Sequence, residues 1–101
     1  SGAGANPEQL FAAGYAACFH SALQAAARRR KISIDGSSVG SRVSIGPSGD
    51  RGFQLGVQLE VIIPDLDQAT AQELADAAHE MCPYSNAIRG NIDVTVTVSD
   101  D

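Results

Sequence analysis

The feature that most constrains the fold of this chain is a long segment in which almost every residue is apolar or small. Residues 7 to 30 fit a single helix, because Asn6 suits the N-cap, Pro7 the first helical position and Gln9 the partner position of a capping box. Between positions 10 and 27 the plainly polar residues are His20, Ser21 and Gln24. A helix that is apolar on every side is buried on every side. In a chain of 101 residues one sheet covers only one side of this helix, so we expect a second subunit to cover the rest.

The remainder of the chain shows strand and helix patterns in turn. Short β-branched alternations occur in "KISIDGSSVGSRVSIG", and "GPSGDRG" at positions 46 to 52 predicts a turn. The segment "FQLGVQLEVII" alternates as a half-buried strand whose predicted inward residues are Phe53, Leu55, Val57, Leu59, Val61 and Ile63. "DQATAQELADAAHEM" predicts an amphipathic helix, and "CPYSNAIRGN" predicts a short helix that ends at Gly90. "IDVTVTV" predicts a last strand with Ile92, Val94, Val96 and Val98 inward.

These elements predict an α+β fold in a single domain that spans residues 1–101. A long buried central helix and two shorter helices would pack on one face of an antiparallel sheet. The chain begins almost directly at the buried helix, with no strand pattern before it. We therefore expect an N-terminally truncated fragment whose first strands are missing.

Charge and hydropathy argue against two classes of partner. The net charge is −5 and no basic patch with interleaved aromatic residues is present, which argues against nucleic acid. No uncharged apolar stretch approaches the roughly 20 residues that span a bilayer, so we expect no membrane insertion. The opening residues lack the pattern of a signal peptide, and a cytoplasmic location is expected. The basic run "RRRK" at 28 to 31 falls where positive charge complements the C-terminal end of a helix dipole.

The chain has two cysteines, and their local sequences predict different reactivity. Cys82 directly precedes Pro83 at the start of a predicted helix, where exposed N–H groups stabilise a thiolate. Cys18 lies within the long apolar helix, where burial raises the pKa of a thiol. The residues alone therefore nominate Cys82 as the reactive thiol. Two alternatives stay open at this point: a structural disulfide, and buried cysteines that act only as small apolar residues.

Metal-binding and hydrolytic sites are weakly supported. Cys18 and His20 point about 200° apart around a helix and do not share an ion. His79 and Cys82 are three residues apart and could share one, but zinc requires three or four ligands. We therefore expect no metal site and no cofactor. A hydrolase using Cys82 as its nucleophile lacks an identifiable general base.

Two motifs carry a resemblance to a known family. "NPEQLFAAGYAACF" followed by "CPYSNAIRGN" resembles the organic hydroperoxide resistance proteins of the OsmC/Ohr superfamily, and the match covers nearly the whole chain. Ala5 and Ile88 stand where threonines are expected. In this family an N-terminal hairpin carries an arginine that stabilises the reactive thiolate, and no residue of this sequence corresponds to it. Arg89 lies in a different motif and is not assigned that role.

The resemblance implies a thiol-dependent peroxidase that acts as an intertwined homodimer. It implies that Cys18 is the peroxidatic cysteine, Cys82 the resolving cysteine, and Glu8 the carboxylate partner of the absent arginine, which reverses the ranking of the thiols. The implied substrates are organic hydroperoxides, including those of fatty acids. They would be reduced to alcohols through a Cys18 sulfenic acid and a Cys18–Cys82 disulfide, in oxidative stress defence. The implied reductant is a dithiol of the lipoyl type.

The position of Glu8 in the sequence raises a question about the geometry of this site. Ten residues place Glu8 about 15 Å along a straight helix from Cys18. Either the helix breaks near Gly14, or Glu8 serves the site of a partner chain, and we favour the second.

The expected walls of the substrate pocket are Phe11, Phe19 and Met81, which are core residues first. The residues expected to start and cap the short helix are Tyr84, Ser85 and Asn86. The alternative function is a non-enzymatic dimeric domain that binds an apolar ligand, or an inactive fragment that lacks the arginine.

Overall fold

The computed structural model describes residues 6–99 and contains three helices and three strands in this part of the chain. In chain order these are α1 (Pro7–Arg30), β1 (Ser38–Pro47), β2 (Phe53–Ile62), α2 (Gln68–Met81), α3 (Pro83–Ile88) and β3 (Asp93–Ser99). A single 3₁₀ turn, Gly49–Arg51, lies between β1 and β2. The α+β class and the three predicted helices are confirmed. No helix among these is long and apolar enough to cross a membrane.

The start of α1 has the predicted capping box. The backbone N–H of Gln9 donates to Asn6 Oδ1 at 2.7 Å, and the backbone N–H of Asn6 donates to Gln9 Oε1 at 3.3 Å. The helix then runs without interruption through Gly14 to Arg30. The suggested break at Gly14 is therefore wrong, because a single glycine inside an otherwise helix-favouring segment weakens the helix without ending it. Lys31, with φ of 59°, closes the helix in the left-handed conformation.

The sheet has the order β1-β2-β3 and is mixed. β1 and β2 form an antiparallel pair, from Ser38 opposite Ile62 to Pro47 opposite Phe53. β3 runs parallel to β2, with Gly56 opposite Asp93. The prediction of an antiparallel sheet is therefore wrong for β3. The chain crosses over through α2 and α3 between β2 and β3, and such a long connection permits a parallel neighbour where a tight hairpin does not.

The core lies between one face of the sheet and the helices α1 and α2. Its largest fully buried side chains include Tyr15, Phe19, Leu23, Leu59, Val61, Ile63 and Leu74. The predicted alternation along β2 is confirmed for Val57, Leu59 and Val61, which are buried, but is wrong for Phe53, which is 74% exposed. β3 pairs with β2 only from Gly56 onward, so Phe53 lies at a corner of the sheet beyond the third strand.

The central helix is buried on one face only within this chain. Its buried residues are Tyr15, Phe19, Ala22, Leu23, Ala26 and Ala27. The opposite face is exposed, and Leu10 on it is 64% exposed. The expectation of burial on every side is therefore not met by the described residues of a single chain. Coverage of this face by a second subunit stays a prediction.

Candidate functional site

Both predicted cysteines lie in one site, although 64 residues separate them in the sequence. Cys18 comes from the middle of α1, and Cys82 comes from the junction of α2 and α3. Both thiols are free, and the Cys82 thiol donates to Cys18 Sγ across 3.4 Å. The two sulfurs are therefore in direct contact.

Cys82 is held in place by both helices that it joins. Its backbone N–H donates to the Ala78 carbonyl at 2.8 Å, and its own carbonyl accepts from the backbone N–H of Asn86 at 3.0 Å. Pro83 follows in the first position of α3, where a missing N–H has no cost. The Cys82 side chain is fully buried, whereas Cys18 is partly exposed. Of the two thiols, Cys18 is therefore the one that a molecule arriving from solvent meets first.

The first turn of α3 contacts the sulfur of Cys18. Burial is the largest cause that raises the pKa of the Cys18 thiol, and the neighbouring Cys82 sulfur adds to this rise. A hydrogen bond from the Tyr84 backbone N–H, in the first turn of α3, lowers the pKa of Cys18 and partly opposes that effect. The residues alone correctly place a helix N-terminus after Cys82. They do not reveal that one of its N–H groups reaches the sulfur of another helix.

This balance predicts how the reactivity of Cys18 depends on pH. Since the pKa of Cys18 lies above its ordinary value, the thiolate fraction and the alkylation rate should still be rising at a pH where an unperturbed thiol has reached its plateau. The measurement is the rate of iodoacetamide alkylation against pH in a Cys82→Ser variant, with glutathione as the reference thiol. A midpoint at or below that of glutathione would contradict the prediction.

A buried hydrogen-bond chain lies beside the thiols. The Tyr15 hydroxyl is 2.6 Å from Ser85 Oγ, and Ser85 Oγ is 2.8 Å from His79 Nδ1. Tyr15 and Ser85 are fully buried. Sequence reasoning assigned Ser85 only to the start of a helix and did not select Tyr15. The available signal was spacing, because Tyr15 lies three residues before Cys18 and Ser85 three residues after Cys82.

Burial also sets the protonation of the two titratable members of this chain. It raises the pKa of the Tyr15 hydroxyl, which therefore stays protonated near neutral pH. Burial is also the largest cause that lowers the pKa of His79, and the positive charge of Arg89 lowers it further. Arg89 itself donates to the His79 carbonyl at 2.7 Å and to Asn86 Oδ1. The His79 ring is therefore neutral near physiological pH.

The predicted pocket residues separate into two environments. Phe11 stacks on Tyr84, with ring centroids 6.1 Å apart and planes at 13°, and Tyr15 packs against both rings. Phe19 is fully buried and lies against the His79 ring, whereas Met81 is partly buried. Phe11 thus has the exposure of a pocket wall and Phe19 that of a core residue. Their roles and that of Met81 in substrate binding stay predictions.

Gly14 makes room for the Tyr84 ring on α1. A Cβ atom at this position would lie 3.3 Å from Tyr84 Oη and 3.4 Å from Tyr84 Cε2. The absence of a side chain therefore lets the Tyr84 ring approach the helix within one turn of Cys18.

Glu8 is not brought to the thiols of its own chain. α1 is continuous, so ten residues place Glu8 about 15 Å from Cys18 along the helix axis. Glu8 lines a groove between the start of α1 and β1, where Arg42 and Ser44 lie opposite it. Arg30 and Glu73 form an ion pair within 4.0 Å. Glu8 forms no such ion pair with any other side chain that the structure describes. Its action on the thiols of a partner chain stays a prediction.

His79 and Cys82, the two residues whose spacing could allow them to share a metal ion, have other polar partners. His79 Nδ1 is engaged with Ser85, and the Cys82 thiol with Cys18. Within residues 6–99 no group of three or more His, Cys, Asp or Glu side chains is arranged to hold a metal ion.

Comparison with known proteins relates this site to one family. The family model for OsmC-like proteins matches residues 1–97. The organic hydroperoxide resistance protein of Xanthomonas axonopodis pv. citri is 52% identical over 99 residues, which are 97% of this chain and 69% of the relative. The organic hydroperoxide resistance protein OhrB of Bacillus subtilis is 55% identical over 91 residues, which are 90% and 67% of the two chains.

Solved structures show the same relationship. An organic hydroperoxide resistance protein from Legionella pneumophila superposes with a TM-score of 0.93 at 54% identity, covering 98% of this chain and 72% of that one. The crystal structure of Bacillus subtilis OhrB gives a TM-score of 0.91 at 54% identity, covering 95% and 71%. On its sequence motifs, its fold and these identities, the chain is a member of the OsmC/Ohr family.

Proposed function

We propose that this protein is a thiol peroxidase that reduces organic hydroperoxides to alcohols and so serves in oxidative stress defence. One observation carries the proposal: a partly exposed thiol and a buried thiol are in contact at 3.4 Å. Relatives that are 52% and 55% identical are named for organic hydroperoxide resistance, which supports this choice of substrate.

The first step is assigned to Cys18, because its sulfur is the accessible one. Its thiolate attacks the distal oxygen of the hydroperoxide, the O–O bond breaks, and the alkoxide leaves as an alcohol after taking up a proton. Cys18 becomes a sulfenic acid. The Tyr84 backbone N–H supports this step because it hydrogen-bonds the sulfur and favours its anionic form.

The second step is assigned to Cys82. Its sulfur attacks Cys18 Sγ, the S–O bond breaks, and the hydroxide leaves as water with the proton of the Cys82 thiol. The sulfurs start 3.4 Å apart and close to about 2.05 Å in a disulfide, a movement that side-chain rotation and small backbone shifts supply. The disulfide protects Cys18 from irreversible oxidation to the sulfinic acid.

A dithiol reductant of the lipoyl type then returns both cysteines to thiols by thiol–disulfide exchange. A dithiol suits this task because its second thiol resolves the mixed disulfide within the same molecule. We further propose that the enzyme is a homodimer and that Glu8 orients the family's arginine, which has no counterpart in this sequence, towards Cys18 of the partner chain. An arginine there would lower the pKa of a thiol that burial otherwise raises.

The surroundings of Cys18 favour an organic rather than a small inorganic peroxide. The stacked rings of Phe11 and Tyr84 lie on the same side of α1 as Cys18, and Tyr84 is 39% exposed. An alkyl or acyl chain that covers these rings is removed from water, which contributes roughly 25 cal/mol for each Å² of apolar surface buried. Met81, which is partly buried, would extend the apolar wall, with Phe19 in the core behind it.

The test is the stoichiometry of a single turnover. The fully reduced protein should consume one equivalent of cumene hydroperoxide, lose both free thiols, release one equivalent of the alcohol, and lose two hydrogen atoms by intact mass. Hydrogen peroxide at the same concentration should react more slowly. A protein that keeps both thiols and its mass in the presence of the hydroperoxide would instead support the alternative, a non-enzymatic domain that binds an apolar ligand.

A further inference from the structure

The Tyr15–Ser85 hydrogen bond joins the same two segments as the sulfur pair, one helical turn away. Tyr15 precedes Cys18 by three residues on α1, and Ser85 follows Cys82 by three residues on α3. Three residues correspond to about 4.5 Å along a helix. The two contacts, 2.6 Å between oxygens and 3.4 Å between sulfurs, therefore define how α1 and α3 lie against each other.

Ser85 Oγ is the atom at which three helices meet. It contacts Tyr15 of α1 and His79 of α2, and it belongs to α3 itself. Ser85 is fully buried, as is the Tyr15 side chain that it contacts. Removing its hydroxyl leaves the Tyr15 hydroxyl and His79 Nδ1 without these partners, so the helices lose their shared polar contact.

The Ser85 hydroxyl can donate one hydrogen bond and accept another, so it satisfies both of its partners at once. Either Tyr15 donates to Ser85 and Ser85 donates to His79 Nδ1, or His79 Nδ1–H donates to Ser85 and Ser85 donates to the Tyr15 oxygen. In both arrangements Tyr15 is protonated and the His79 ring is neutral, in agreement with the raised pKa of Tyr15 and the lowered pKa of His79.

We propose that Tyr15, Ser85 and His79 are positioning residues that hold Cys82 at bonding distance from Cys18 and aligned with it. In the peroxidase cycle, which rests on the proposed function, this alignment accelerates disulfide formation from the Cys18 sulfenic acid. A displacement of about 1 Å lowers the rate of a reaction between two held groups by about 10²-fold. A slight rotation of α3 on α1 is enough to produce such a displacement at Cys82.

The first experiment separates the two chemical steps. In single turnovers with cumene hydroperoxide, Ser85→Ala should slow disulfide formation by about 10- to 100-fold while sulfenic acid formation changes by less than about threefold. Tyr15→Phe should have a smaller effect in the same direction, because Ser85 keeps His79. Both variants should show more sulfinic acid at Cys18 under excess peroxide.

A matched control exists elsewhere in the chain. Ser37→Ala removes another serine–histidine hydrogen bond, that between Ser37 Oγ and His20 Nε2 at 2.9 Å. It should leave the rate of disulfide formation unchanged. An equal slowing in Ser37→Ala would show that any loss of a polar contact has this effect, and would overturn the proposal.

The second experiment needs no peroxide. The effective concentration of the Cys18–Cys82 pair is measured by equilibrium with glutathione, in wild type and in both variants. A hydrogen bond that only stabilises the fold stabilises the dithiol and disulfide forms of the protein equally. Its loss therefore leaves the effective concentration unchanged. We expect a fall of about tenfold in Ser85→Ala, equivalent to about 30 mV in the reduction potential.

These arms distinguish the positioning proposal from the proposed function. If the wild-type protein fails to react with hydroperoxide, the proposed peroxidase function is contradicted. If the effective concentration of the Cys18–Cys82 pair still falls in the variants, the positioning role is supported all the same. The positioning role is overturned if Tyr15→Phe and Ser85→Ala both fold and both keep an effective concentration and a rate of disulfide formation within about twofold of wild type. Tyr15→Phe keeps the buried ring, so it still decides the question if Ser85→Ala does not fold.

Discussion

Cys18→Ser is expected to reduce the consumption of organic hydroperoxide to the rate of buffer alone. A serine hydroxyl is almost entirely protonated near neutral pH, and its oxygen does not form a sulfenic acid equivalent. Removal of an enzyme's nucleophile lowers the rate by several orders of magnitude, so we expect a loss of at least about 10³-fold. The measurement is hydroperoxide remaining over time, with a dithiol reductant in excess.

Cys82→Ser provides the comparison, in the same measurement made without the dithiol, because an added thiol would itself react with the Cys18 sulfenic acid. This variant should complete one turnover, accumulate the Cys18 sulfenic acid, and then progress to the sulfinic acid, because no resolving thiol remains. The serine is close in size to the cysteine that it replaces, so the packing between α2 and α3 is preserved. Retention of full activity in Cys18→Ser, or loss of the first turnover in Cys82→Ser, would contradict the assigned roles.

Phe19→Ala is expected to lower the free energy of unfolding by about 3–5 kcal/mol. Phe19 is 0% exposed and packs within the core, so truncation leaves a cavity that its neighbours fill only in part. This loss is large against the roughly 5–15 kcal/mol that stabilises a typical domain. The measurement is urea unfolding followed by circular dichroism at one protein concentration.

Two further variants serve as controls for the stability loss of Phe19→Ala. Gln24→Ala changes an exposed residue of the same helix and should stay within about 0.5 kcal/mol of wild type. Phe11→Ala, at a partly exposed aromatic residue, should cost less stability than Phe19→Ala and raise the KM for bulky hydroperoxides. If Phe19→Ala unfolded like wild type while raising the KM, Phe19 would be a pocket wall rather than a core residue.

The parts of the fold that depend on local chemistry could be predicted from the sequence. The capping box of Asn6 and Gln9, the length of α1 and the buried residues of β2 follow from residue types and spacing over a few positions. The direction of β3 could not be predicted in this way. Its alternating pattern is the same in either direction, and only the crossover through α2 and α3 decides which way it pairs.

The candidate site shows the same division. Local sequence identified a helix N-terminus after Cys82, but the N–H of Tyr84 serves Cys18, and that contact exists only after α3 packs on α1. Ser85 was read as part of a helix start, although its hydroxyl joins three helices. Contacts between residues so far apart in the chain produce no periodic pattern in the sequence. The one sequence feature that indicates them is spacing, because Tyr15 and Ser85 each lie three residues from a cysteine.

The long sequence separation of the two cysteines has a thermodynamic consequence. A covalent link between Cys18 and Cys82 closes a loop of more than 60 residues, and in the chain-entropy description this disfavours the unfolded ensemble by about 4 kcal/mol. Exposure to peroxide would thus convert the protein into a form that resists heat and proteases better than the resting form. Formation of this disulfide would therefore stabilise the folded protein under oxidising conditions.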